Sequence, residues 1–131
     1  MSLTTESVKI TAADTSRDAT GTAYELFRAT GGCYVDRVIF QPLGTNAATA
    51  ARVFINVATP VTLGENNYLH REVTLGGTTA SETAALAAVE LVLDVYLSAG
   101  QRLLVTVGTA PTAGITASVA VGNRYSDFNA A

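Results

Sequence analysis

The stretch from residue 88 to residue 97 reads AVELVLDVYL, and its alternation decides the fold class. Apolar side chains occupy every second position from Val89 onwards, and Glu90, Asp94 and Tyr96 occupy positions between them. A period of two residues is typical of a β-strand that has one face in a core and the other toward water. The chain therefore contains a half-buried strand here, and the same pattern recurs along its length.

Turn residues divide the chain into about eight such segments, which predicts an all-β, single-domain β-sandwich over residues 1–131. The strands 88–97 and 102–109 are joined by the short turn SAGQ, which predicts a hairpin. In the segment YLHREVTL, the side chains of Leu69, Val73 and Leu75 are predicted to face inward. The predicted strands cover residues 6–13, 22–30, 33–41, 51–58, 68–75, 88–97, 102–109 and 114–122.

Three segments have less regular patterns. Residues 79–88 (TASETAALAA) combine an alanine-rich stretch with a capping box, so they form a short helix or, as we favour, an extended connection. Residues 1–12 form either a first strand or an N-terminal arm that adds a strand to a neighbouring molecule. Residues 123–131 (NRYSDFNAA) form a C-terminal tail.

The composition predicts a surface that is covered in the working state. Charged residues make up 15% of the 131 residues, against roughly 25% in a typical soluble domain. Self-association or a larger lattice would cover such a weakly charged surface. The net charge is −3, and the seven arginines and Lys9 are spread along the chain without a cluster. A concentrated basic patch is therefore missing, and nucleic acid is not expected as a partner.

The sequence also predicts neither a disulfide nor a membrane segment. Cys33 is the only cysteine, which excludes an intrachain disulfide and fits assembly in a reducing cytoplasm. The first residues show no signal peptide. The long uncharged run from Leu103 to Asn123 is interrupted by Gly108, Pro111 and Gly114, so we interpret it as two strands and expect no membrane partner.

The residues that usually carry chemistry are sparse, so we expect no catalytic, cofactor-binding or metal-binding residues. His70 is the only histidine, and no serine lies in a nucleophile-elbow motif. One cysteine and one histidine cannot supply a structural zinc site. Asp14 and Asp18 lie in an oxygen-rich loop, but the spacing of a calcium loop is absent and a solvated loop is favoured. The Gly-Gly pairs precede no helix or lysine, so no phosphate-binding loop is predicted.

The aromatic residues suggest binding instead. In the C-terminal tail, Arg124, Tyr125 and Phe128 form a docking peptide or fold back to cap the sandwich, because tyrosine and arginine are frequent interface anchors. Tyr96 lies on the polar side of its strand. We predict a partner interface formed by these four residues with Val8 and Ile10 of the N-terminal segment.

Four stretches resemble small virion proteins of tailed bacteriophages. They are PLGTNAATAARVFIN (42–56), YLHREVTL (68–75), TTASETAAL (78–86) and LVLDVYLSAGQRLLVTVGT (91–109). The resemblance covers a little over half of the chain and implies a jelly-roll-like β-sandwich. Such proteins serve as head-decoration (cement) subunits on phage capsids, and some are parts of the neck or tail.

The resemblance implies a subunit that bridges and stabilises neighbouring major capsid proteins. Its partners would be the capsid lattice and further copies of itself, as a homodimer or homotrimer. It would be made in the host cytoplasm and located on the outer capsid surface of the virion. A neck, tail or baseplate component is the alternative within the virion.

Two alternatives outside the virion also follow from the residues. A carbohydrate-binding module would use Tyr24, Tyr68 and Tyr96, although the chain lacks tryptophan, the usual stacking platform. A cupin-like enzyme would need several histidine ligands, and His70 alone does not supply them.

Overall fold

Eight antiparallel strands form two sheets in the computed structural model, which describes residues 3–57 and 67–122. The alternating segments of the sequence all form strands, which confirms the all-β sandwich. Residues 79–88 form an extended connection, as favoured above, and the described residues contain no helix that could cross a membrane. The strands are Leu3–Ile10 (β1), Tyr24–Arg28 (β2), Cys33–Pro42 (β3), Thr49–Asn56 (β4), Asn67–Leu75 (β5), Val89–Leu97 (β6), Arg102–Val107 (β7) and Ile115–Gly122 (β8).

The order of the strands is that of a jelly roll. Sheet I has the order β1-β8-β3-β6, and sheet II has the order β2-β7-β4-β5. Consecutive strands belong to different sheets, with the exception of β4 and β5, which pair with each other in sheet II. An eight-stranded double sheet of this kind buries one face of each sheet against the other.

The predicted hairpin between residues 88–97 and 102–109 is wrong. The first segment, β6, pairs with β3 in sheet I, and the second, β7, lies between β2 and β4 in sheet II. The chain changes sheets at the turn Ser98–Gln101, where Gly100 has a φ of 88°. Alternation shows which side of a strand faces a core but does not identify the neighbouring strand, so a short turn fits both arrangements.

The main core lies between the sheets and consists of aliphatic side chains around Phe40. Phe40 of β3 and Leu103 of β7 are fully buried and belong to opposite sheets. Cys33 is also buried here, and burial raises the pKa of its thiol. The thiol therefore behaves as a small apolar side chain of the core.

A second, smaller cluster lies on the outer side of sheet II. Phe54 and Leu104 are cross-strand partners there, and both are buried together with Ala19 of the β1–β2 loop. Asp14 anchors this loop because its carboxylate accepts hydrogen bonds from the backbone N–H groups of Ser16 and Gly21, each at 2.9 Å. The β1–β2 loop therefore covers the outer face of sheet II.

A bulge in β5 reverses part of the predicted inward face. Val53 pairs with Arg71 and Phe54 pairs with Leu69, which leaves His70 as the extra residue. Leu75 is buried as predicted, but Leu69 lies with Phe54 on the outer side of sheet II and is partly exposed. The prediction that Leu69 faces inward is wrong, because one inserted residue moves the preceding side chains to the other face.

Candidate interaction surface

The outer face of sheet I is open, in contrast to that of sheet II. Its central strands present Ile39 of β3 with Ser118 and Ala120 of β8, together with the larger polar side chains of Tyr34 and Arg37 on β3. No apolar cluster covers this face within residues 3–57 and 67–122. The open face is therefore a surface of the described strands that is accessible to a partner.

Val92 and Tyr96 are large apolar side chains that are exposed on this open face. They lie on the outer side of β6, where their exposed fractions are 55% and 52%. The hydroxyl end of Tyr96 lies directly over Gly32, at the place that a β-carbon would occupy. Gly32 thus allows the tyrosine ring to extend along the surface of the β2–β3 turn.

A charged cluster borders these residues at a bulge between β3 and β6. Arg37 donates to the carboxylate of Asp36 at 2.7 Å and to that of Glu90 on the neighbouring strand at 2.8 Å. Hydrogen bonding to Asp36 and the two nearby negative charges raise the pKa of Arg37. The hydroxyl of Tyr34 donates to Asp94, which has a φ of 46°. The cluster fixes the side chains around the bulge and gives this part of the open face an acidic excess.

The structure separates the six residues of the predicted partner interface. Tyr96 is exposed on the open face, and Val8 is half-buried against the core. Ile10 pairs with Ile115 within sheet I, and its side chain is 0% exposed and faces the core, so this side chain offers no surface to a partner. Arg124, Tyr125 and Phe128 lie outside the described residues.

The N-terminal segment is a strand of the molecule's own sheet. Leu3–Ile10 pairs with β8 along its whole length, from Leu3 opposite Gly122 to Ile10 opposite Ile115. Of the two interpretations of this segment, the structure shows the strand. The alternation of β1 explains the burial of Ile10, because Val8 and Ile10 lie on the side of the core.

A buried amide holds three loops together at one end of the sandwich. Asn46 of the β3–β4 loop donates from Nδ2 to the carbonyl of Gly114 at 3.0 Å and accepts from the N–H of Ala113 at 2.8 Å. Its backbone exchanges two hydrogen bonds with Thr78 of the β5–β6 loop. The hydroxyl of Thr78 in turn donates to the carbonyl of Gly44 at 2.7 Å. Sequence reasoning missed Asn46 and Thr78, although both lie in stretches that carry the phage resemblance.

The residues considered for chemistry occupy structural positions. His70 Nε2 lies 3.3 Å from the carbonyl oxygen of Leu93 on β6. Cys33, on β3 of sheet I, is buried in the main core between the sheets. Asp18 accepts a hydrogen bond from the hydroxyl of Thr20, which lowers the pKa of Asp18. In the described ranges, no three His, Cys, Asp or Glu side chains converge as a metal site would require. The loop of Asp14 and Asp18 thus uses its carboxylates for its own turns.

The aromatic residues considered for sugar binding are not arranged together. Tyr24 packs partly against the core, and its hydroxyl accepts hydrogen bonds from the backbone N–H groups of Thr11 and Ala12. Tyr68 and Tyr96 are exposed, but they lie on strands of different sheets. The three tyrosines therefore form no common stacking platform.

Ion pairs on sheet II give a pH-dependent contribution to stability. Glu72 of β5 accepts hydrogen bonds from Arg17 of the β1–β2 loop and from Arg52 of β4, and these bonds lower the pKa of Glu72 below its ordinary value of 4.5. Ionised Glu72 therefore stabilises the fold above that value, and the stabilisation is lost as the pH falls through the lowered folded-state pKa.

We expect Glu72→Gln to lower the melting temperature at neutral pH and to have a shrinking effect as the solution is acidified. The reason is that wild type loses the same charge interaction when Glu72 is protonated. Thermal unfolding of both proteins across the acid range measures this difference. Glu82→Gln in the exposed β5–β6 loop is the matched control, and a pH-independent effect of Glu72→Gln would contradict the assignment.

Comparisons with known proteins assign no family. No protein-family model matches the chain, and no curated protein matches it. Among solved structures, that of infectious bursal disease virus, Gx strain, aligns with a TM-score of 0.33 at 16% sequence identity. The alignment covers 90% of this chain and 33% of the viral chain, so this chain spans about a third of the length of that one. At this identity and TM-score the likeness assigns no function.

Proposed function

We propose that this protein is a non-enzymatic structural protein of a virion, a capsid decoration (cement) subunit that bridges and stabilises neighbouring major capsid proteins. The observation that carries the proposal is the difference between the two outer faces of the sandwich. Sheet II is covered by the β1–β2 loop around Phe54, whereas sheet I is open and presents Val92 and Tyr96. A sandwich with one open face that carries exposed apolar side chains is suited to lie flat on a larger surface.

The energetics of such a subunit depend on buried area and repetition. Each square ångström of apolar surface that leaves water contributes roughly 25 cal/mol, before the costs of association are subtracted. A subunit that contacts two neighbouring capsid proteins at once gains further affinity, because its second contact forms at a high effective concentration. Modest individual contacts are thus sufficient to reinforce a lattice.

The phage resemblance supports the same role. Two of its stretches, residues 42–56 and 78–86, meet at the network of Asn46 and Thr78. The network holds the loops at one end of the sandwich in fixed positions, so the strands below them present a constant surface. Rigid presentation lowers the entropy cost of binding a repeated partner.

We expect Tyr96→Glu and Val92→Glu to weaken attachment to the capsid by at least tenfold. Each substitution places a charge at the apolar part of the open face, where contact with the shell would remove it from water. Attachment is measured by co-sedimentation of purified protein with capsids of the source phage that lack this subunit. Tyr68→Glu is the matched control, because Tyr68 is equally exposed (60%) but lies on the edge of sheet II.

Normal attachment of both open-face variants would overturn the docking of sheet I. The copy number of the chain in purified particles separates the proposed position from its alternative. A number that matches the repeat of the capsid lattice supports decoration of the head. A few copies, as in a ring, would instead support a neck, tail or baseplate component.

A further inference from the structure

The free edges of the two sheets differ in how they are protected. Sheet I ends at β1 and β6, and sheet II ends at β2 and β5. An edge strand presents unpaired backbone N–H and C=O groups that can pair with another chain. Folded proteins block such edges with bulges, short strands, charged side chains or covering segments, so a long edge strand in regular register is the one most able to pair with another strand.

The strands β5 and β6 form neighbouring edges of the two sheets, and both edges are blocked. His70 forms a bulge in β5, and its Nε2 lies 3.3 Å from the carbonyl oxygen of Leu93 in β6. Arg71 covers the carbonyl of His70 with a hydrogen bond of 2.9 Å. Asp94, with its φ of 46°, interrupts β6 next to Leu93. A further strand cannot pair continuously with either edge.

The edge of β2 is also blocked. This strand has five residues, and its pairing with β7 shifts between Glu25 and Phe27. The hydroxyl of Tyr24 accepts from the N–H groups of Thr11 and Ala12 at 3.1 and 3.0 Å, so the chain that follows β1 covers the start of β2.

Among the described edge strands, β1 differs because neither a bulge nor a short length interrupts its edge. β1 has eight residues in continuous register with β8, without a bulge. We propose that two copies of this chain associate through β1 of each copy, paired antiparallel, so that the two four-stranded sheets I form one continuous sheet.

The alternation of β1 determines the register of this pairing. In β1, Val8 and Ile10 face the core, and Ser7 and Lys9 face outward. A two-fold axis perpendicular to the sheet keeps the core-facing residues of one copy opposite the core-facing residues of the other. The axis must therefore lie midway between one residue of β1 and the same residue of the second copy. An axis at Glu6 or at Lys9 would oppose two like charges, which destabilises a strand pair.

An axis at Ser7 fits the remaining constraints best. It places Glu6 opposite Val8 of the second copy, and it pairs the strands from Thr4 to Ile10. An axis at Val8 would shorten the pairing, because the next residue, Thr11, already donates its N–H to Tyr24. A second copy of the chain suits this edge because, in this register, neither Glu6 nor Lys9 of one β1 lies opposite the same residue of the other.

The test is a cysteine cross-link in the isolated protein. In Ser7→Cys, the two introduced cysteines would face each other across the axis with Cα atoms about 4.5–5.5 Å apart, within disulfide range. In the control Lys9→Cys, they would be about 13 Å apart along the strands. We expect Ser7→Cys, and not Lys9→Cys, to give a covalent dimer on a non-reducing gel after mild oxidation. Cys33 is buried in both variants and provides the same background.

A second measurement keeps the proposal falsifiable. We expect wild type to sediment at twice the mass of the 13.5 kDa chain, and Ser7→Lys, which opposes two lysines at the axis, to sediment as a folded monomer. Equal cross-linking of both cysteine variants, a wild-type monomer or a trimer would each overturn the β1 pairing. Because these experiments need no capsid, their failure would leave the proposed virion role standing.

Discussion

Phe54→Ala is expected to lower the free energy of unfolding by about 3–5 kcal/mol, the range typical of a buried phenylalanine that is truncated to alanine. Phe54 is fully buried on the outer side of sheet II, where it packs with Leu104 and Ala19. Because this cluster is small, few neighbours can move into the space that the ring leaves. Urea unfolding, followed by circular dichroism, measures the change.

The same substitution should loosen the β1–β2 loop before the sandwich unfolds. Ala19 packs on Phe54, so loss of the ring removes the apolar support of the loop that Asp14 anchors. Hydrogen exchange at the N–H of Gly21 is therefore expected to accelerate more than global destabilisation requires. Phe40→Ala in the main core is the control, because it should cost a similar free energy without selective loosening of the loop. Equal protection of Gly21 in both variants would contradict the separate role of the second cluster.

Asn46→Ala should produce the second largest effect, a loss of about 2–4 kcal/mol in the free energy of unfolding. The substitution removes two hydrogen bonds and leaves the N–H of Ala113 without its acceptor in a region where water has little access. The lost bond to Gly114 costs about 0.5–1.5 kcal/mol, and the N–H of Ala113 left without an acceptor costs about 1–3 kcal/mol.

Thr45→Ala is the matched control for Asn46→Ala. Thr45 is the exposed neighbour, and its hydroxyl accepts one hydrogen bond from Ala80. We expect it to cost less than about 1 kcal/mol. If chemical denaturation gives the same value for both variants, Asn46 does not hold the three loops together.

The strands were predictable because each has an alternating side-chain pattern. That pattern reports which side faces a core, and the exposure of Tyr96 follows from it directly. Pairing is not encoded in the alternation, so the sequence predicts a hairpin at the turn Ser98–Gln101 although this turn joins the two sheets. The bulge at His70 has no composition signal either, and it reversed the face of Leu69.

The candidate surface was less predictable than the strands. The sequence predicts Ile10 on a partner surface because an N-terminal arm and a first strand have the same sequence pattern, and only the pairing with β8 distinguishes them. Asn46 lies among small polar loop residues, so nothing in the sequence indicates that its amide is buried. Closure of the outer face of sheet II was also unpredictable, because it depends on a loop far from Phe54 in the sequence.

The pairing of β1 with β8 has a consequence for how the chain folds. Leu3 lies opposite Gly122, so nearly the whole described sequence separates these two neighbours in the sheet. Such a contact requires closure of a very long loop, and folds dominated by distant pairings form slowly, on a timescale of about milliseconds to seconds. During synthesis β1 leaves the ribosome before the other described strands and has no partner strand in its sheet until β8 has followed it. Completion of sheet I is therefore a late event that follows translation of β8.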